Sequence, residues 1–203
     1  PSTFLKEVMD LFSLTALEIC EGQQMDMEFE QRNDVTAEEY LEMIRLKTAV
    51  LLAASLKIGA RLGGASVEDA DRLYDFGMHI GVAFQLKDDL LDVYGNAKVF
   101  GKNIGGDILC NKKTYMLIKA LEHANADQHN QLNSWINAET FQPAEKIAAV
   151  TELYDRIGVK AVCENKILEY SNRAMESLAA VSIAEEKKEE LKKIIENLIH
   201  REV

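Results

Sequence analysis

The stretch Phe84-Gln85-Leu86-Lys87-Asp88-Asp89-Leu90-Leu91-Asp92 lodges three carboxylates in a segment whose other residues read as buried helix. At about 100° per residue, Gln85, Asp88, Asp89 and Asp92 are expected within one turn-to-turn stripe. Ala83, Leu86, Leu90 and Val93 make an apolar stripe on a different face. Three carboxylates this close repel one another, and desolvation raises the cost of keeping them ionised. A divalent cation supplies the missing positive charge. The donors are hard oxygens with no Cys or His among them, which favours Mg²⁺ over Zn²⁺. Such an ion completes its shell with water and phosphate oxygens, so the local expectation is a phosphate-ester site on a helix. Aspartate pairs on helices are more often simply solvated; the strongly apolar flanks argue against that here.

Outward from this stretch the chain is expected to be helical throughout. Pro1 and Pro143 are its only prolines, and no segment sustains a period of two. A first helix is expected over 2–30. Thr36-x-x-Glu39 is a capping-box signature opening a second that reaches position 62. Gly63-Gly64 ends it, and Ser66 caps a third over 67–93. Gly95, Gly101, Gly105 and Gly106 mark a loop, followed by helices over 111–124, 127–138, 144–157, 159–181 and 184–201. In the last, Leu191, Ile194, Ile195 and Leu198 are expected to form the core stripe, with Glu189 and Lys193 as a solvated pair. No repeat, low-complexity tract or linker interrupts residues 1–203, so one all-α domain is expected.

Composition narrows the function classes. A content of 47% hydrophobic residues over 203 positions suits one sizeable core. No apolar run approaches the length of a membrane span, and no signal-peptide pattern opens the chain. Cys20, Cys110 and Cys163 stand far apart, outside any metal or redox pair, and are expected as reduced thiols of a cytoplasmic protein. A net charge of −11 argues against nucleic acid and against an anionic membrane surface. Most of it lies in residues 1–42, where eleven acids face two bases. The chain starts at Pro1, without methionine, directly in a helical pattern, and upstream sequence is expected.

Three further blocks carry chemistry. In the second helix Leu41, Ile44, Thr48, Leu51, Ser55, Ile58 and Leu62 are expected to form one inward face, with Lys47 at its margin. Taken alone, such a threonine bonds back to a carbonyl and such a lysine snorkels. Beside a carboxylate–metal site, the lysine becomes a candidate diphosphate ligand. The first helix ends with Gln23, Asp26 and Glu30 on one face. The loop holds Gly101-Lys102-x-x-Gly105-Gly106-Asp107, followed by Asn111-Lys112-Lys113-Thr114. Flexible amides and lysine can hold phosphate oxygens. Spacing and the missing strand rule out a Walker A loop.

Taken in order, Gly22-Gln23-x-x-Asp26, Lys47-Thr48, Phe84-Gln85-x-x-Asp88-Asp89-x-x-Asp92 and Gly101-Lys102-x-x-Gly105-Gly106-Asp107 with Lys112 resemble the C-terminal part of a trans-isoprenyl diphosphate synthase, the farnesyl and geranylgeranyl diphosphate synthase group. The third block is similar to that family's second aspartate-rich motif, and the resemblance runs over essentially the whole chain. It implies an antiparallel all-α bundle of the isoprenoid synthase type, here without its N-terminal helices. It also implies a Mg²⁺-dependent prenyltransferase that joins an allylic diphosphate to isopentenyl diphosphate, as a homodimer. Asp88 would ligate Mg²⁺, supported by Asp89 and Asp92. Lys47 and Lys102 would hold the allylic diphosphate, with Asp107 and Lys112 in support. Thr48 and Gln85 would face the developing allylic cation, Gln23 and Asp26 would line the same cavity, and Phe84 would pack beside the isopentenyl group.

The family also carries a first aspartate-rich motif, a Gly-Lys-x-x-Arg element and arginines for isopentenyl diphosphate, none of which occurs in these 203 residues. The 203 residues alone are therefore expected to be inactive. A catalytically silent subunit of the same fold is the alternative, although such subunits usually lose aspartates and these are intact. A class I terpene cyclase should lack the Lys47-Thr48 and Gly101-Lys102 blocks. A diiron bundle needs Glu-x-x-His pairs, but His79, His123, His129 and His200 follow Phe76, Ala120, Ala126 and Asn197 at that spacing.

Overall fold

The computed structural model describes residues 4–95 and 104–200. Among them the regular structure is helical: α1 (Leu5–Phe29), α2 (Ala37–Ile44), a π-helical segment (Arg45–Ala49), α3 (Val50–Leu62), α4 (Val67–Tyr94), α5 (Gly106–Leu109), α6 (Tyr115–His123), α7 (Ala126–Ile136), α8 (Pro143–Ile157), α9 (Val159–Ala179), a 3₁₀ turn (Glu185–Lys187) and α10 (Glu189–His200). The capping box forms as its spacing predicts: Glu39 N donates to Thr36 Oγ1 at 3.2 Å, and Thr36 N donates to Glu39 Oε2 at 2.9 Å. Ser66 Oγ accepts from Asp69 N at 3.0 Å and opens α4.

α4 is the central element, packed most extensively against α9 on one side and α3 on the other. Ile80, Gly81, Val82 and Ala83 are all buried, a run that only a helix enclosed on several sides shows. Phe76, Leu86, Met116, Leu132, Val159, Leu178 and Ile195 are among the side chains that fill the core around it. Each such burial contributes about 1.5–3 kcal/mol, and truncating one to alanine would cost about 2–5 kcal/mol.

The second expected helix departs from its sequence pattern. It runs as far as Leu62, but the π segment widens one turn and shifts everything after it around the axis. Ile44 is buried as expected, whereas Leu51 and Leu62 are 52% and 59% exposed. Ala49, Val50, Ala53 and Ala54 take the inward positions instead. A uniform 100° count cannot anticipate that insertion.

The C-terminal helix also begins later than its pattern suggests. Lys188, 2% exposed, turns back to cap α9: its Nζ donates to Ala179 O at 3.0 Å and to Glu185 Oε1 at 2.8 Å. In α10, Ile195 and Leu198 are buried while Ile194 is 49% exposed. Its surface pairs are Lys192 with Glu189 and Lys193 with Glu190 at i,i+3, not Glu189 with Lys193. Cys20, Cys110 and Cys163 are free thiols, and among the described residues no helix is long and apolar enough to cross a membrane.

Candidate active site

Two glycines bring the site together. Gly22 of α1 rests on the π segment so closely that a Cβ there would collide with Lys47 N and lie 2.8 Å from Leu46 Cβ. One turn further along α1, Asp26 meets Lys47, with Nζ 2.6 Å from Oδ2. Gly81 of α4 approaches the same segment from the other side, where a Cβ would lie 2.6 Å from Ala49 Cα. One turn further along α4, Gln85 Oε1 accepts from Thr48 Oγ1 at 3.3 Å. Thr48 thus bonds across the helix interface, and Lys47 ends on a carboxylate. Their positions follow from backbone contact, with no side chain in between.

The three aspartates of the stripe differ in burial. Asp89 lies three residues after Leu86 and four before Val93, so it turns with the apolar face. It is 3% exposed and accepts a hydrogen bond from Tyr40 OH on α2. Burial, against the lowering effect of the Tyr40 bond, raises its pKa to about 7. Asp88 and Asp92, one turn apart, stay half-buried. Asp92 acts as a hinge post for the next segment: its carbonyl accepts from Gly105 N at 2.6 Å and its Oδ2 from Asp107 N at 2.9 Å. Gly105 has φ +84° and abuts Ile147, where a Cβ would sit 2.7 Å from Cγ1, so both its conformation and the space require glycine.

α5 then presents Asp107, and Lys112 folds back so that its Nζ lies 3.5 Å from Asp107 Oδ1. Burial raises the Asp107 pKa, Lys112 opposes this, and Asp92 and Asp26 push it further up. Burial pulls Lys112 down, yet Asp107, Asp89 and Asp26 hold its pKa above the ordinary lysine value. Asp26, Glu30, Asp107, Cys110, Lys112 and Lys113 line a cleft of about 580 Å³. The arrangement is an acidic nest with lysines at its edge, suited to a cation and to the oxygens of a polyanion.

Of the residues singled out in the sequence, Asp26, Asp107 and Lys112 line this cleft, while Lys47 and Asp92 meet it through Asp26 and Asp107. Gln23 is exposed on α1, one turn before Asp26. Phe84, 38% exposed, lines an apolar groove with Leu52, Ile80, Ile194 and Leu198 between α3, α4 and α10. Gly101 and Lys102 lie outside the described residues. Two groups beside the site gave little sequence signal. Tyr40 looks like an ordinary apolar-face aromatic of α2, and its hydroxyl becomes relevant only once Asp89 is seen to be buried. Lys146 looks like a surface lysine in the first turn of α8, yet it is 1% exposed.

The donor set is compatible with Mg²⁺. Among the described residues no group of three His, Cys, Asp or Glu side chains closes around one point. Asp88 and Asp92 would therefore supply only part of an octahedral oxygen shell and leave the rest to water or a ligand's oxygens. Burial raises the Asp107 pKa most, and Asp92 and Asp26 add to it against Lys112, so three carboxylates gather beside one lysine here.

Comparison with known proteins converges on one family. Residues 3–154 match the Polyprenyl synthetase family. A short chain isoprenyl diphosphate synthase of Methanothermobacter thermautotrophicus is 37% identical over 201 residues, 99% of this chain and 61% of that protein. A geranylgeranyl diphosphate synthase of Methanosarcina mazei is 52% identical over 114 residues, 56% of this chain and 35% of that protein. A crystal structure of geranylgeranyl pyrophosphate synthase superposes with a TM-score of 0.91 at 38% identity, over 97% of this chain and 61% of that one. A geranylgeranyl pyrophosphate synthase from Corynebacterium glutamicum, complexed with isoprenyl diphosphate and magnesium, superposes with a TM-score of 0.88 at 29% identity, over 97% of this chain and 56% of that one. The chain thus spans about 60% of the length of the first of these relatives.

Proposed function

The chain belongs to the polyprenyl synthetase family, and we propose that it forms the second-aspartate half of a trans-prenyl diphosphate synthase. The intact protein would join an allylic diphosphate to isopentenyl diphosphate and release pyrophosphate. The observation that carries this is that Asp26, paired with Lys47, lines one cleft with Asp107 and Lys112, beside the aspartate-bearing end of α4. Asp88 and Asp92 are the residues that would hold Mg²⁺. When bound, the ion supplies neutralising charge to the departing diphosphate.

Lys47 and Lys112 add fixed ammonium charge for the same leaving group, and such preorganised charge is the largest contribution a site of this kind makes. Lys102 belongs to the same set by its motif. Asp26 and Asp107 hold the two lysines in place until diphosphate oxygens replace or join them. Thr48 donates its hydroxyl hydrogen to Gln85, which leaves its oxygen lone pairs to face a developing allylic cation. The apolar groove at Phe84 suits the hydrocarbon part of a prenyl substrate. Proton loss from the coupled product would go to the released pyrophosphate.

The same proposal places the protein in the cytoplasm as a homodimer. The exposed stripe of Leu5, Met9 and Phe12 on α1, at 60%, 51% and 59%, supports an assembly through that helix. The 203 residues alone should not turn over, because the first aspartate motif is not in their sequence. The test is an assay of the intact protein with radiolabelled isopentenyl diphosphate, an allylic diphosphate and Mg²⁺. Label should pass into extractable prenyl product and stop on chelation. Pyrophosphate binding with no label transfer would instead favour a catalytically silent subunit.

A further inference from the structure

Lys146 sits on α8, outside every motif in the sequence, with 1% of its surface exposed. Its ammonium donates to Asn111 Oδ1 at 2.7 Å and lies 3.5 Å from Leu109 O and 4.2 Å from the centre of the Phe141 ring. Burial lowers its pKa, and among the described residues the one titratable group that acts on it is the Cys110 thiol, not a carboxylate. A buried cation met only by neutral dipoles is a poor stabiliser, since an apolar side chain of the same size commonly does as well or better. Its placement therefore calls for another explanation.

The group it holds is itself unusual. Among the described residues, Asn111 is the one non-glycine with positive φ, at 52°. This left-handed conformation costs about 1–2 kcal/mol for an ordinary residue, and asparagine tolerates it best. Both ends of its amide are held, the oxygen by Lys146 and the nitrogen by Ile136 O at 2.9 Å. The residue after this reversal is Lys112. Its backbone N donates to Asp107 O at 3.0 Å, and its Nζ lies 3.5 Å from Asp107 Oδ1. The segment over 105–112 is thus fixed at one end by Asp92 and at the other by Asn111.

We propose that Lys146 is a positioning residue: by clamping the Asn111 amide it holds the left-handed reversal that aims Lys112 into the cleft. What Lys112 does there rests on the function proposed above; the clamp itself does not. Lys146 touches no substrate in this scheme. Its effect passes through one amide, and a backbone shift of about 1 Å at such a point is enough to spoil a charged contact.

The experiment uses Lys146→Met, which keeps the stem and removes the charge, with two readouts: amide exchange across residues 111–114, and calorimetric binding of inorganic pyrophosphate with Mg²⁺. Exchange across 111–114 should accelerate while peptides from α4 and α9 stay protected, and pyrophosphate should bind about tenfold more weakly. Asn111→Gly adopts positive φ unaided and has no amide to clamp, so adding Lys146→Met to it should change pyrophosphate affinity less than about twofold. If Lys146→Met folds poorly, Asn111→Ala carries the same expectation with Lys146 in place. Unchanged exchange across 111–114 in Lys146→Met or Asn111→Ala overturns the inference. An equal loss of affinity on adding Lys146→Met to Asn111→Gly and to the wild type also overturns it. Failure of the wild type to bind pyrophosphate would instead count against the proposed function, and exchange alone would then decide the clamp.

Discussion

Where α4 carries Gly77 and Gly81, it touches Ala53 and Ala49 backbone to backbone; two turns later, around Asp88 and Asp92, it carries carboxylates, one of which accepts from Asp107 N. The first region is neutral, dense and intolerant of a single added methyl. The second is acidic, half-open, and adjoins carboxyl groups whose pKa values are raised. One helix thus combines a close-packed foot with an acidic head. The close packing of the foot fixes Thr48 against Gln85, and Gly22 does the same for Lys47 against Asp26. The charge at the head can then be left for a ligand to complete.

The hardest test of this contrast is Asp88→Ala in the intact enzyme. Its carboxylate is assigned to charge that grows in the transition state, so kcat should fall by about 10²–10³ with little change in substrate KM. Near-normal turnover would remove Asp88 from the head altogether.

Asp89→Asn probes the head without catalysis, through the pH dependence of Tm in the metal-free chain. Asp89 has its pKa raised from 3.8 to about 7, chiefly by burial. As pH rises from 4 to 7 the unfolded chain gives up this proton first, so the folded state loses stability across that window and levels off above it. The loss has an upper bound of about 4 kcal/mol from a shift of this size. Asp89→Asn keeps an acceptor for Tyr40 and should flatten the fall, raising Tm at pH 8 and leaving pH 4 nearly unchanged. Identical pH profiles would mean that Asp89 is ionised in the fold.

The foot is probed by two glycines that a sequence cannot rank. Gly81→Ala forces a methyl against Ala49 and should cost about 1–3 kcal/mol in denaturant unfolding. Gly59 of α3 has nothing within 4 Å of a would-be Cβ. Gly59→Ala should therefore stabilise by about 0.5–1 kcal/mol, from helix propensity alone. Similar effects at both sites would abolish the distinction drawn for α4.

The smallest expected effect lies away from both regions. Thr36→Ala removes one half of the capping box on α2 and should cost about 1 kcal/mol. It should leave pyrophosphate affinity unaltered, because Tyr40 still anchors the helix on Asp89. A loss of affinity would tie the α2 start to the head.

Local chemistry made much of this legible from the sequence. The capping box at Thr36 and Glu39, the cap at Ser66 and the length of α4 depend on neighbours within one turn, and they formed where the pattern placed them. The order of the blocks containing Asp26, Lys47, Asp88 and Asp107 pointed to the family before any packing was known. The inward face of α3 was misread because a π turn is stabilised by what surrounds it. The burial of Asp89 was not legible for a related reason: periodicity separates an aspartate stripe from an apolar one but does not show that α2 covers the edge of the first, where Tyr40 OH donates to Asp89.

The sequence by itself determined an all-helical chain, the starts of its capped helices and the family, since these rest on periodicity, short-range hydrogen bonds and residue order. Only the tertiary structure decided that Gly22 and Gly81 are contact points, that Asp89 is buried on Tyr40, and that Lys146 reaches Asn111 across 35 positions of chain. Those facts depend on which backbones approach closely enough to exclude a Cβ or to remove a charge from water, and such approaches join residues whose separation along the chain carries no trace of them.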